Sequence, residues 1–268
     1  QIIFALDAIA HFGLEPAVTP VIFANSDEEI GSRESTHLIS RLARTASRAF
    51  VLEPSLGRDG KLKTARKGVG RFAVTITGQA AHAGLDPEKG ASAILELSHV
   101  VQALFALNDP DKGVTVNVGT IEGGLRPNVI APESGCVADV RVRTNEDAER
   151  VTAAIHGLEP VVPGTSLKIE GGIGRPALEP TPRNRQLWQL AQDLSSGIGL
   201  LLDEGLAGGG SDGNTTSLYT ATLDGLGPVG DGAHATHEFL FLDETLERTA
   251  LLALLLLAPP LKSPEEAR

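Results

Sequence analysis

Cysteine is nearly absent: Cys136 stands alone in 268 residues. A single thiol excludes an intramolecular disulfide framework and a thiolate zinc cluster. It lies in an alternating stretch, where an inert core thiol is expected. Methionine is missing altogether, so the chain does not open on an initiator residue. Long apolar runs are missing too. The longest, Leu251 to Pro260, falls well short of the roughly 20 residues a membrane span needs, and reads as a buried terminal helix. Basic charge is in deficit, with 23 Lys and Arg against 34 Asp and Glu, a net charge of −11. That balance argues against nucleic acid as a partner, because such binding wants a basic surface. It suits a carboxylate-rich metal site, and equally plain solubility. No secretory leader, internal repeat or low-complexity tract is visible. The 41% apolar and 21% charged residues are those of a soluble globular protein, long enough for one large domain or two ordinary ones.

The chain opens in mid-pattern, with Ile2, Ile3, Leu6, Ile9 and Ala10 at helical spacing and no start signal, as an incomplete chain would. Ala17 to Ala24 predicts a buried strand, Glu34 to Ala43 a helix, and Ala49 to Glu53 a second strand broken by Pro54. Together they predict a β-α-β unit with acids at one edge. From Leu62 the pattern changes. Gly70–Thr77 alternates as a half-exposed strand does, Gly78 to Pro87 is a loop carrying His82, and Ala91 to Leu107 is an amphipathic helix. Val114–Ile121 and Ser134–Arg143 are strands, Glu146 to His156 a helix, and Leu167 to Glu170 a last strand. The order β-α-β-β-α-β is the split ferredoxin-like arrangement. It predicts an inserted domain over 67–174 between segments 1–66 and 175–268 of another, with hinges near 66 and 174. After Arg175-Pro176 the first style resumes, with a helix from Asn184 to Ser196 anchored by Trp188. A glycine turn (Gly208 to Asn214) and a glycine-laden loop (Thr222 to His234) precede the terminal helix.

Val21 to Ser32 is the stretch around which the chemistry is organised. An apolar run stops at Asn25-Ser-Asp-Glu-Glu29 and turns at Gly31, presenting adjacent carboxylates where open α/β sheets place ligands. The alternative is an acidic first helical turn, with Ser26-x-x-Glu29 as a capping box. Scattered Asp, Glu and His without a cysteine cluster suit a catalytic metal rather than a structural one. Such a metal needs a carboxylate base beside it, and Glu28 and Glu29 alternate in direction, so one could bind metal while its neighbour moves the proton. His11, His37, His99 and His156 lie in helical patterns and carry no assigned role.

Eight short motifs fall in one order: Asp27-Glu-Glu29, Leu52-Glu53-Pro54, the Gly78-Gln-Ala-Ala-His82-Ala-Gly84 loop, Arg126-Pro-Asn128, Ala138-Asp-Val-Arg141, Gly174-Arg175-Pro176, Gly208-Gly-Gly-Ser-Asp212, and Ala233-His234-Ala-Thr-His-Glu238. That ordered set resembles the co-catalytic zinc peptidase family of glutamate carboxypeptidase, aminoacylase, acetylornithine deacetylase and succinyl-diaminopimelate desuccinylase, nearest the glutamate carboxypeptidase branch. The resemblance runs the whole length. It implies an α/β catalytic domain, a mixed sheet flanked by helices with its N-terminal portion absent, carrying an inserted ferredoxin-like lid and dimerisation domain.

By the same resemblance, Glu28 matches the general base and His82 the lid histidine that stabilises the oxyanion. Glu29 and His234 match ligands of one zinc and Glu53 a ligand of the other. His234 is preferred to His237 because the family's histidine precedes the glutamate, here Glu238, by four. Asn128, Arg141 and Arg175 match groups that hold the substrate carboxylate, and Gly210 matches backbone lining the pocket. Two zincs per active site are implied for the intact enzyme, other divalent metals also being compatible. So are a homodimer through the inserted domain, a cytoplasmic location, and a small peptide or acyl amino acid as substrate, with neither nucleic acid nor membrane as partner. The family's His-x-Asp histidine and its metal-bridging aspartate have no match in this chain. A dipeptidase, an N-acyl amino acid deacylase, or a non-catalytic dimerising fragment are the alternatives.

Overall fold

The computed structural model describes residues 1–261. The chain divides into two compact units: residues 1–66 together with the chain from Leu178 onward, and residues 67–177. The first unit opens with helices α1 (Ile2–His11) and α2 (Thr36–Thr45) and strands β1 (Arg48–Val51) and β2 (Leu62–Arg66). The second runs β3 (Gly68–Thr77), α3 (Ala93–Phe105), β4 (Thr115–Gly123), β5 (Glu133–Val142), α4 (Asn145–His156) and β6 (Ser166–Arg175). The first then resumes with α5 (Pro182–Gly197), β7 (Glu204–Ala207), a short α6 (Asp212–Thr216), β8 (Ala221–Asp224), the small pair β9 (Gly230–Asp231) and β10 (Phe239–Leu240), and α7 (Leu242–Leu257).

The second unit follows from its alternation. Strand order is β4-β5-β3-β6, every pair antiparallel, so inward residues alternate along each strand. Phe72, Val74 and Ile76 of β3 and Cys136, Ala138 and Val140 of β5 form one buried face. Leu97, Val100 and Leu104 of α3 and Val151 and Ile155 of α4 cover it. Ser92 and Thr144 cap the two helices, accepting the backbone N–H of Leu95 and Asp147. Cys136 is buried in this core, and burial pushes its thiol up, as suits an inert residue. The expected second boundary shifts. β6 continues to Arg175, which pairs with Val69, and the Ala177 N–H donates to Asn145 Oδ1 at 2.9 Å, so the unit closes after Ala177 rather than after Gly174.

The first unit holds a mixed four-stranded sheet, β1-β8-β2-β7, in which β1/β8 and β2/β7 are parallel and β8/β2 antiparallel. Leu62, Leu187, Trp188, Leu223, Leu226, Leu251 and Leu255 make its core, so Trp188 is the anchor its isolation in the sequence suggested. Three expectations are corrected here. Residues 17–24 form no strand, and Val21 and Ile22 are more than half exposed. Apolar content alone does not make a strand, whose N–H and C=O groups need a neighbour. Both Val18 to Ala24 and Ala49 to Leu52 line a cavity of about 670 Å³, and no ladder pairs the stretch with β1. The β-α-β unit is therefore not closed. The glycine-laden loop, conversely, opens with a strand: Ala221–Asp224 is β8, buried at every position. No helix among the described residues is long and apolar enough to cross a membrane.

Candidate functional site

The acids of the Asp27–Glu29 stretch sit on a single 3-10 turn, Glu28–Ile30, rather than at a strand end, because residues 17–24 pair with nothing that would extend them. Gly31 ends the turn at φ +98°, and Ser32 follows at φ +51°, a left-handed backbone that is uncommon for a residue with a Cβ. Hydrogen bonds hold the distortion. Ser32 Oγ donates to Asp212 Oδ1, Asn25 Nδ2 to Asp212 Oδ2 at 2.9 Å, and Asp27 Oδ2 accepts the N–H groups of Glu34 (2.9 Å) and Ser35 (3.1 Å) at the entry to α2. A hydrogen bond with the Ser35 side chain, joined by those two amides, lowers the Asp27 pKa.

Glu29 and His234 meet across the length of the chain. His234 Nδ1 lies 4.0 Å from Glu29 Oε2, both side chains mostly in solvent. Among the described residues His234 is the other non-glycine residue with positive φ, at +65°, two residues after Gly232 at +80°. Glu53 follows β1. Its carbonyl accepts the Gly227 N–H at 2.9 Å, an approach open only to glycine, since a Cβ at 227 would come within 2.6 Å of that oxygen. Its carboxylate is two-thirds buried and 3.8 Å from Arg66 Nη2. Burial raises its pKa, helped by Asp224 and Glu28 and opposed by Arg66 and Lys63. Glu28, Glu29, Glu53 and His234 thus all belong to the first unit, in two neighbourhoods: Glu29 with His234, and Glu53 with Glu28 near enough to perturb it.

Gly210, the expected pocket residue, is tied to the same unit. Arg66 Nη1 donates to the carbonyls of Gly209 (3.1 Å) and Gly210 (3.4 Å). The turn then enters α6 through a capping box, in which Ser211 Oγ accepts the Gly213 N–H and Asn214 Oδ1 accepts the Ser211 N–H. Among the described residues no group of three or more His, Cys, Asp or Glu is close enough to hold a metal.

The second unit carries the others. The Ala83 N–H donates to Asn128 O at 3.0 Å and the Ile130 N–H to Ala81 O at 2.9 Å, so the His82 and Asn128 loops lie side by side. His82 Nδ1 accepts the Gly84 N–H at 3.2 Å, which leaves the proton of a neutral ring on Nε2. Arg141 turns its guanidinium fork onto Asp139, at 2.7 Å and 3.0 Å. Arg175 ends β6 and, like Arg141 on β5, stands opposite Val69 of the intervening β3, so the two arginines share one row of the sheet.

Sequence reasoning missed the buried partners of the first unit: Arg66, Asp224 and Lys63. Leu223-Asp224-Gly225 repeats the apolar-run-then-acid pattern of Leu52-Glu53-Pro54, and that signal could have found Asp224.

A sheet-and-helix unit with carboxylates and a histidine on its loops, interrupted in sequence by a ferredoxin-like unit, is the arrangement that the ordered motifs led one to expect. Residues 64–158 match the peptidase dimerisation domain of the M20 family. Beyond that segment the chain is similar to peptidases over most of its length. It is 30% identical over 238 residues to carboxypeptidase G2 of Pseudomonas, covering 87% of this chain and 57% of that protein, so it spans under three-fifths of that relative's length. Its fold is similar to the aminopeptidase PepT of Bacillus cereus, with a TM-score of 0.75 and 22% identity over 94% of this chain and 67% of that one. It is also similar to YxeP of Bacillus subtilis, described as a dinuclear metal-binding M20 peptidase, with a TM-score of 0.62 and 16% identity over 86% of this chain and 62% of that one.

Proposed function

We propose that this chain serves the metal-dependent hydrolysis of an amide or peptide bond next to a free carboxylate, releasing a C-terminal glutamate or a similar amino acid. The observation that carries the reading is the meeting of Glu29 and His234, residues far apart in sequence, on two strained turns of one unit. Glu29, Glu53 and His234 are this chain's contribution to a two-zinc donor set that the described residues leave incomplete. A divalent metal, when bound, supplies Lewis acidity and a more acidic water.

The chain's own residues do the rest. Glu28 takes the proton of the attacking water and delivers it to the leaving nitrogen, the ordinary double duty of a carboxylate base. His82, with its proton on Nε2, donates to the developing oxyanion. Asn128, Arg141 and Arg175 hold the substrate carboxylate, and a guanidinium fork suits that task. Arg141 does so in exchange for Asp139. The Gly210 backbone lines the pocket. Similarity to carboxypeptidase G2, a carboxypeptidase by name, favours a carboxypeptidase over a deacylase. The assembly proposed is a homodimer through the second unit.

Zinc titration with a substrate panel tests the reading. Zinc should bind, and Glu29→Ala or His234→Ala should weaken it at least tenfold. Glu28→Gln should keep the zinc and lose on the order of 100-fold or more in turnover. Glutamyl conjugates should outrun N-acyl amino acids. Zinc binding indifferent to both ligand variants would sink the proposal. It would favour the second reading, a non-catalytic dimerising module, for which the incomplete donor set speaks and whose association Glu28→Ala would leave untouched.

A further inference from the structure

Among the charged groups of the first unit, one buried pair has no part in the chemistry proposed above, yet touches both Glu53 and the glycine turn. Arg66 is 3% exposed and Asp224 is fully buried. Arg66 Nε and Nη2 donate to Asp224 Oδ2 and Oδ1 at 2.7 and 2.9 Å, a bidentate fork. Its Nη1 reaches the carbonyls of Gly209 and Gly210, and its Nη2 stands 3.8 Å from Glu53 Oε2. Asp224 Oδ2 accepts in addition from Ser211 Oγ, whose residue caps α6. The neighbouring Asp212 accepts from Ser32 and Asn25, which bracket the Glu28–Ile30 turn. Glu53, the glycine turn and the acidic turn are thus joined through one guanidinium and two aspartates.

Desolvating two charges costs several kcal/mol, and packed apolar residues often serve stability as well. A simple stability role therefore leaves the geometry unexplained. Charge alone would also be met by lysine. The use made here is of a planar fork with five donors, which can face a carboxylate, two carbonyls and a second carboxylate at fixed angles.

We propose that Arg66, held by Asp224, is a positioning residue that fixes the Glu53 carboxylate relative to the Gly208–Asp212 turn. This rests on the reading of Glu53 as a site carboxylate. Arg66 touches no reacting atom; it sets where Glu53 and the Gly209 and Gly210 carbonyls stand.

The test variant is Arg66→Lys in the full chain, which keeps the charge opposite Asp224 and removes the fork. Amide hydrogen exchange without added metal is read first. The Ser211 and Gly213 amides, held by the capping box, should exchange at least tenfold faster, while the amides of α7 keep their protection. Wild-type exchange at Ser211 and Gly213 overturns the proposal, since charge alone would then suffice. Uniformly faster exchange, α7 included, overturns it too, as the pair would be merely structural. Asp224→Asn provides a second variant if the lysine form does not fold, with the same local pattern expected.

Zinc binding to wild type, Arg66→Lys, Glu53→Gln and the double variant is the second readout. Arg66→Lys should weaken zinc about tenfold in the wild-type background and change nothing further where Glu53→Gln is already present. Additive losses would overturn the positioning of Glu53. Wild-type chain that binds no zinc would fail the metal reading above, while the exchange result still decides this one.

Discussion

Glu53 shows how one residue's setting becomes a measurable pH dependence. Burial, with Asp224 and Glu28 nearby, raises its pKa against the pull of Arg66 and Lys63. A carboxyl raised in the folded state holds its proton more tightly there than in the unfolded chain. Its contribution to stability is therefore present in acid and lost as pH rises from the ordinary glutamate range through the raised value. Glu53→Gln cannot ionise and escapes that loss. The melting temperature of the variant minus that of the parent should grow as pH rises from about 4 to 7. A difference that is flat or shrinks over that range would mean the buried carboxylate is already fully compensated by its cationic neighbours. Ser32 and His234 belong to the same scale. Positive φ cannot be read from a serine or a histidine in a sequence, since both tolerate many conformations. Only the bonds to Asp212 and the glycines around 232 show why the backbone turns there.

At the scale of elements, the second unit was legible and the first only in pieces, for physical reasons. Strands β3 and β5 and helices α3 and α4 alternate or repeat cleanly because each has one face on the core and one turned away from it. Strand β6 was read too short because Gly171, Gly172 and Gly174 look like a stop. They lie inside the strand. Gly171 has φ +106°, and a Cβ there would stand 2.1 Å from Arg71 O on the paired strand. Gly171→Ala would add backbone strain to that collision, costing about 2–4 kcal/mol. Denaturant unfolding of the full chain, followed in the second unit, checks it, and a loss under about 1 kcal/mol would show that β6 shifts freely. In the first unit, β2 and β7 are short and their partners distant, so neither announced itself. The 17–24 stretch erred oppositely, strand-like in content and without a neighbour to pair. Of the candidate site, motif order paired Glu29 with His234, two residues that stand 4.0 Å apart. The buried Arg66–Asp224 pair was not legible, because burial of a charge is a tertiary fact.

The whole molecule brings the edge of the second unit into play. Strand β4 ends the order β4-β5-β3-β6, so its outer backbone groups have no partner within that sheet. Ile121 on β4 and Leu125 just beyond it are 67% and 74% exposed. Natural sheets usually guard such an edge with charge, proline or a covering loop. Here β4 carries Glu122 as its only charge, and an open apolar edge of that kind is a template for pairing. The matched dimerisation domain spans this strand. A second copy presenting the same edge would extend the sheet across a two-fold axis, with each Ile121 near its counterpart's strand. The full chain should then sediment as a dimer at tens of micromolar. Ile121→Lys places like charges close to the axis and should weaken the dimer at least tenfold, about 1.4 kcal/mol or more, with the fold unchanged by circular dichroism. A dimer of unaltered affinity would move the contact away from β4, and a monomeric parent chain would remove the dimer from the proposed function.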